Sequence, residues 1–159
     1  MTTRIEPLAD IDGQCSCLAV RQASRYLTAV YDAALNPASL RITQFSILYK
    51  LARGGPLTIG ELASRMAMDR TTLSTNLRPL EREGLIDIVP GVDRRHKQAL
   101  ISKKGLLRFQ KALPLWTQVQ ARFEGRYGAR EAAGLRDALR HVLNMGFEPW
   151  AESGAAVGA

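Results

Sequence analysis

Apolar residues in the first third of the chain recur in steps of three and four. Val20, Ala23, Leu27, Val30 and Ala34 fall on one face of a helix over about 14–35, and Asn36-Pro37 ends it. A second helix is expected from Gln44 to about Arg53, with Thr43 as its cap and Phe45, Leu48 and Leu51 or Ala52 facing inward. Gly54-Gly55-Pro56 stops it. Thr58-Ile59-Gly60-Glu61 fits a capping box, in which the Thr oxygen and the Glu carboxylate each satisfy an orphan backbone donor, so a third helix runs from Ile59 to about Met66. After a short turn, Asp69 caps a fourth helix that ends near Glu83, with Leu73, Leu77 and Leu80 on its inner face. Pro79 removes the donor to the Thr75 carbonyl and predicts a bend.

Beyond Glu83 the period changes from helix to strand. Gly84 suits the position just past a helix end, and Ile86, Ile88 and Leu100 are expected to alternate inward along two short strands. Ser102 then caps a long helix, Lys103 to about Phe123, with Leu106, Phe109, Leu113, Trp116, Gln120 and Phe123 in three-four alternation. A last helix, about Ala129 to Phe147, carries Leu135, Leu139, Val142 and Leu143. The order predicts a mainly α fold with a small antiparallel β wing. In this reading residues 41–102 form a winged helix-turn-helix, and helices over 15–40 and 103–150 form a dimerisation region, because they are more apolar than such a small lobe needs by itself. Residues 1–14 read as a flexible segment and 151–159 as a disordered, Gly- and Ala-rich tail.

Charge narrows the picture further. The 159 residues carry a net charge of +7, but residues 41–111 hold 14 Lys and Arg against 6 Asp and Glu, while the rest is close to balanced. A basic field confined to the middle of the chain is the electrostatic footprint of a nucleic-acid binder. The outer face of the fourth helix shows Arg70, Thr71, Ser74, Thr75 and Arg78, with Thr72 beside them, side chains suited to phosphate oxygens and base edges. The loop between the strands adds Arg94, Arg95, His96 and Lys97 around Asp93. An Arg at a hairpin tip can enter the minor groove, and the lone acid is explained as the partner that orients an Arg fork. Double-stranded DNA is therefore the expected partner, with Asp93, Arg94, Arg95 and Lys97 as wing contacts. A winged-helix adaptor that holds an acidic protein is the competing reading.

Other function classes find little support. No Gly-rich phosphate loop and no nucleophile, base and orienter trio can be picked out, so no catalytic residue and no cofactor are expected. No metal site is expected either, since His96 and His141 fall in different elements. The absence of a long apolar run argues against membrane partners and for a cytoplasmic protein. Cys15 and Cys17 do not make a disulfide framework, and two residues apart on a helix they would point in different directions.

The phrases Ile59-Gly60-Glu61-Leu62-Ala63, Leu80-Glu81-Arg82-Glu83-Gly84-Leu85-Ile86 and Asp93-Arg94-Arg95, in this order of elements, resemble the MarR family of bacterial transcription regulators over about residues 15–147. The resemblance implies a homodimer whose outer helices interlock. It also implies a reading helix over Asp69 to Glu83 in the major groove of a pseudo-palindrome, and Arg95, partnered by Asp93, at the minor groove. Most members of such a family repress, and let go of DNA when a small phenolic or lipophilic ligand, or an oxidant, acts on the dimer. Tyr26, Tyr31, Phe45, Tyr49 and Trp116 are the candidates to line a ligand cavity. Cys17, with Cys15 beside it, lies close to where hydroperoxide sensors of the family keep a reactive thiol, and Tyr31 resembles one of their tyrosines. Arg21 stands where another would be expected.

Overall fold

The computed structural model describes residues 10–149; most of the expected flexible N-terminal segment and the tail 151–159 lie outside the described residues. The first expected helix is present as α2 (Ser16–Leu35), and a separate short turn precedes it within the segment expected to be flexible. That turn, α1 (Ile11–Gln14), is capped by Asp10, and α2 begins after Cys15, whose Sγ accepts from the Leu18 N–H at 3.3 Å. Cys15 has extended backbone and so does not share a continuous helix with Cys17. The helical-rotation argument against pairing these two thiols therefore does not apply.

α3 (Ile42–Gly54) starts two residues before its expected first residue, and Thr43 is not its cap. The free N–H groups at its start are met instead by Gln44 Oε1, which accepts from Arg41 at 2.9 Å, and by Asp32 Oδ1 of α2, which accepts from Ile42 at 2.7 Å. A cap supplied from the preceding helix leaves no local signature. Phe45, Ile47, Leu48 and Leu51 are buried, whereas Ala52 is exposed.

The helix-turn-helix follows the local signals closely. α4 (Ile59–Met66) opens on the capping box, with Thr58 Oγ1 accepting from the Glu61 N–H at 3.1 Å and Glu61 Oε2 accepting from the Thr58 N–H at 2.8 Å. Ala67 takes a left-handed conformation (φ +50°) to close the turn, and Asp69 caps α5 (Arg70–Arg82) by accepting from the Thr72 N–H at 2.8 Å. α5 continues through Pro79 to Arg82. Leu73, Leu77 and Leu80 are fully buried, each stabilising the lobe by roughly 2 kcal/mol relative to exposure.

Both capping acids titrate below the ordinary carboxylate range. For Glu61 the main cause is the backbone hydrogen bond from Thr58, and for Asp69 the side-chain hydrogen bond from Thr72. A depressed carboxyl stabilises the folded state above its unfolded value and loses that contribution as the pH falls through the depressed one. The two caps should thus hold throughout the neutral range. Thr58→Ala is expected to cost about 1 kcal/mol, read as a lower urea midpoint at unchanged slope.

β2 (Ile86–Pro90) and β3 (Lys97–Ile101) form the hairpin, and a third strand, β1 (Leu57–Thr58), pairs antiparallel with β3. A two-residue strand is too short to display a period of two, which is why the pattern of the chain does not reveal it. The register sets Ile86 against Ile101 and Ile88 against Ala99, so the inward residues of β3 are Ala99 and Ile101. Leu100 lies opposite Asp87 on the other face, against expectation.

α6 (Lys103–Tyr127) is 25 residues long, roughly 37 Å, and runs one turn past its expected end, with Phe123 and Tyr127 stacked at 5.3 Å. α7 (Ala129–Leu143) stops before Phe147. The Asn144 N–H turns back to the His141 carbonyl, and Gly146 takes φ +87°, which no helix continues through. One apolar core fills the lobe formed by α3, α4, α5 and the sheet, and reaches α6 at Ala112.

Candidate nucleic-acid interface

With Leu73, Leu77 and Leu80 committed to the core, helical geometry turns Thr71, Ser74, Thr75 and Arg78 outward along one strip of α5, flanked by Arg70 and Thr72. All six are exposed. Thr72 has a second task, since its hydroxyl donates to Asp69 Oδ2 at 2.6 Å and completes the cap. Arg78 and Lys97 line one recess between α5 and the wing, so the helix face and the basic hairpin are neighbours.

At the wing, Asp93 organises the loop. Its carboxylate accepts from Arg95 Nε at 3.1 and 3.2 Å and from Arg95 Nη2 at 3.0 Å, while Oδ1 also accepts from the Arg95 backbone N–H at 3.1 Å. His96 Nδ1 lies 3.3 Å away on the same carboxylate. Chiefly because of the Arg95 guanidinium, Asp93 titrates below its ordinary range. The guanidinium itself remains largely open to solvent. Arg94 is exposed beside it. The expected pairing of an acid with an Arg fork is thus present as a bidentate contact, which fixes geometry as well as charge.

The base of this unit is held by Ser102, already expected as the cap of α6, and by two residues that the pattern of the sequence does not single out. Lys104 Nζ donates to the Glu83 carbonyl at 2.6 Å, Ser102 Oγ donates to the Gly84 carbonyl at 2.7 Å, and Arg108 Nη1 donates to the Ser39 carbonyl at 3.3 Å while lying 3.6 Å from Glu83 Oε2. Cations at the carbonyl end of α5 complement its dipole. α5 is therefore tied at its C-terminus to the start of α6. The available signal was the pair Lys104 and Arg108, four residues apart in the first turns of a helix that follows a wing.

The expected ligand residues separate into two places and an exception. Phe45, Tyr49 and Trp116 meet Phe109 in a groove of about 570 Å³ between α3 and α6, where Phe45 packs 4.9 Å from Phe109 and 6.1 Å from Trp116. Tyr31 lines a different groove of about 640 Å³ between α2, α6 and α7. There its hydroxyl donates to Gln120 Oε1 at 2.7 Å, and Gln120 and Arg136 both donate to Glu124. Burial, then the Glu124 charge, pushes the Tyr31 phenol up. Tyr26 lines neither groove and is 71% exposed, because it lies on the side of α2 turned away from the chain. Cys17 is exposed and Cys15 half-buried.

Among the described residues no three His, Cys, Asp or Glu side chains gather as a metal site would need, and no helix is long and apolar enough to cross a membrane.

Comparisons with known proteins agree on one family. The MarR family model matches residues 40–97, from just before α3 to the first residue of β3. The crystal structure of the Mycobacterium tuberculosis transcriptional regulator MosR in complex with DNA is 38% identical, with 81% of this chain and 98% of that chain covered and a TM-score of 0.69. The PcaV transcriptional regulator of Streptomyces coelicolor, solved with its natural ligand, shares the fold at 20% identity, with 89% and 100% covered and a TM-score of 0.76. An uncharacterized HTH-type transcriptional regulator of Bacillus subtilis, YwoH, is 26% identical over 91 residues, 57% of this chain and 66% of that protein. Family members regulate transcription and are not enzymes. With its capped helix-turn-helix, its Asp-Arg wing and a DNA-bound relative aligned over four-fifths of its length, this chain belongs to the MarR family of winged helix-turn-helix transcription regulators.

Proposed function

We propose that the chain is a homodimeric repressor that holds a pseudo-palindromic operator and lets go when a small aromatic or lipophilic ligand, or an oxidant, acts on it in the cytoplasm. The observation that carries this reading is the adjacency of the exposed α5 strip to a wing whose Arg95 fork is already set on Asp93. Thr71, Thr72, Ser74, Thr75 and Arg78 would meet the major groove, and Arg70, whose guanidinium lies back against α4, the phosphates at its edge. Asp93, Arg94, Arg95 and Lys97 would meet the backbone and minor groove. A relative at 38% identity that crystallised with DNA supports DNA over an acidic protein as the partner.

The dimer follows from surface that a single chain leaves exposed. Ile11 and Val20 near one end of the chain, and Val142, Leu143 and Phe147 near the other, are open to water, Phe147 at 80%. Exposed apolar side chains of this size offer a surface for a partner to cover. In this arrangement residues 15–40 and 103–150 join the two subunits, and 41–102 reads DNA. The groove of Phe45, Tyr49, Phe109 and Trp116 is the site best suited to an aromatic effector, being apolar, ring-lined and open between α3 and the helix that anchors α5.

Gel shifts on the promoter DNA of its own gene, run between 50 and 200 mM salt, test the reading. A sequence-selective complex that weakens by orders of magnitude with salt is expected, together with a dimer mass by light scattering. A protein indifferent to DNA sequence and salt would instead be an adaptor. For the oxidant arm, the exposed Cys17 thiolate would attack the O–O bond of cumene hydroperoxide to give a sulfenic acid and release the alcohol. Cys17→Ser should then abolish peroxide-induced release, and release that persists would remove this thiol from the mechanism.

A further inference from the structure

The outward strip of α5 contains hydroxyls that are already committed as donors. Ser74 Oγ donates to the Arg70 carbonyl at 2.8 Å and Thr75 Oγ1 to the Thr71 carbonyl at 3.1 Å, while Asn76 Nδ2 donates to the Thr72 carbonyl and the Thr72 hydroxyl to Asp69. A hydroxyl has one O–H and two lone pairs, so with its proton turned inward it faces the groove as an acceptor. Arg70 does not fill the gap, because its guanidinium lies back against the first turn of α4, where a side-chain carbon at Gly60 would stand 3.5 Å from Nη2. Arg78 lies at the other end, beside Lys97.

We propose that Ser74 and Thr75 are specificity-determining residues that reject guanine in the operator half-site by offering acceptors in place of donors, with the Thr75 methyl group selecting an A·T pair at its position; this rests on the DNA-binding function proposed above. In the major groove guanine presents only its N7 and O6 acceptors, which would oppose the hydroxyl lone pairs. The adenine N6 amine supplies the donor they need. Cytosine also has an amine, but the Thr75 methyl meets a partner only in the thymine C5 methyl, which turns the balance to A·T. Rejection of guanine here is an unfavourable contact built against the wrong base, not an added attraction for the right one.

Selection of random duplex DNA by the full chain, read by sequencing, tests this. Wild type should deplete guanine about ten-fold at two positions of each half-site. Ser74→Ala should relax one of them and Thr75→Val the other, leaving the remaining positions unchanged, whereas Thr75→Ser should keep the depletion of guanine and lose the preference for adenine over cytosine. With wild-type protein, replacing the contacted adenine by purine, which lacks the amine, should weaken binding about ten-fold. Guanine enriched at these positions, or a preference unmoved by Ser74→Ala and Thr75→Val, would overturn the proposal while DNA binding stands. Failure to enrich any sequence would overturn both.

Discussion

Arg95→Ala is expected to weaken DNA binding by roughly ten- to a hundred-fold and to lower the slope of log affinity against log salt by about one, with the oligomeric state and the melting temperature unchanged. The expectation follows from how the wing is built. Arg95 is exposed and is held by Asp93 through three side-chain contacts of 3.0–3.2 Å, so its removal should leave the fold intact. What is lost is a cation whose direction was fixed before DNA arrived. Arg95→Lys should recover the salt slope but only part of the affinity, because an ammonium keeps the charge and loses the planar fork. Asp93→Ala is the complementary case: the guanidinium stays, now free to rotate, and the affinity should fall less than with Arg95→Ala while the salt slope is preserved. Fluorescence anisotropy across a salt series separates the three, and an Arg95→Ala protein that binds like wild type would exclude the wing from the interface.

The elements that were legible in the sequence are those whose signals are local. Thr58 to Glu61, Asp69 at the start of α5, Gly84 past its end at φ +69° and Ser102 at the start of α6 each satisfy hydrogen bonds within three residues, and each was found where its pattern placed it. The misreadings share the opposite property. One of the two capping groups of α3 is Asp32, ten residues away in another helix, and β1 exists only because β3 offers it a partner at Ala99 and Gln98. Leu100 was misread because a hairpin register depends on the loop, and a slip of one residue exchanges the two faces. The interface shows the same division. Its side chains stand on one face of α5 and one loop, both readable from spacing, while Lys104 and Arg108, which tie α5 to α6, act across 21 and 25 positions of sequence. Tyr26 and Tyr31 looked alike as candidate ligand residues, and only the packing of α2 against α6 separates the second, bonded to Gln120, from the first.

That tie between α5 and α6 is also where the largest effect on stability is expected. Gly105, in the first turn of α6, is buried, and a side-chain carbon there would stand 1.9 Å from the Leu85 carbonyl oxygen and 3.0 Å from Ile101. Its neighbours cannot retreat cheaply. The Leu85 carbonyl already accepts from the Ser102 N–H at 3.1 Å, the Gly105 N–H donates to Ser102 Oγ, and Leu85 itself is fully buried. Gly105→Ala gains up to about 1 kcal/mol of intrinsic helix preference, but it must push the start of α6 off the strand that leads into the wing. Overpacking against fixed backbone dominates, for a net loss of about 3 kcal/mol or more and a melting temperature lower by on the order of 10 °C. Gly125, in the same helix, has nothing within 4 Å of the equivalent position, so Gly125→Ala should be neutral or stabilising by up to about 1 kcal/mol. The comparison removes helix preference from the argument, since both substitutions gain it equally. If Gly105→Ala melts like Gly125→Ala, the close approach of α6 to Leu85 is not what fixes the wing. If it unfolds early, the same contact that excludes a methyl group sets the angle at which Arg95 is presented, and operator affinity should fall even at temperatures where the variant remains folded.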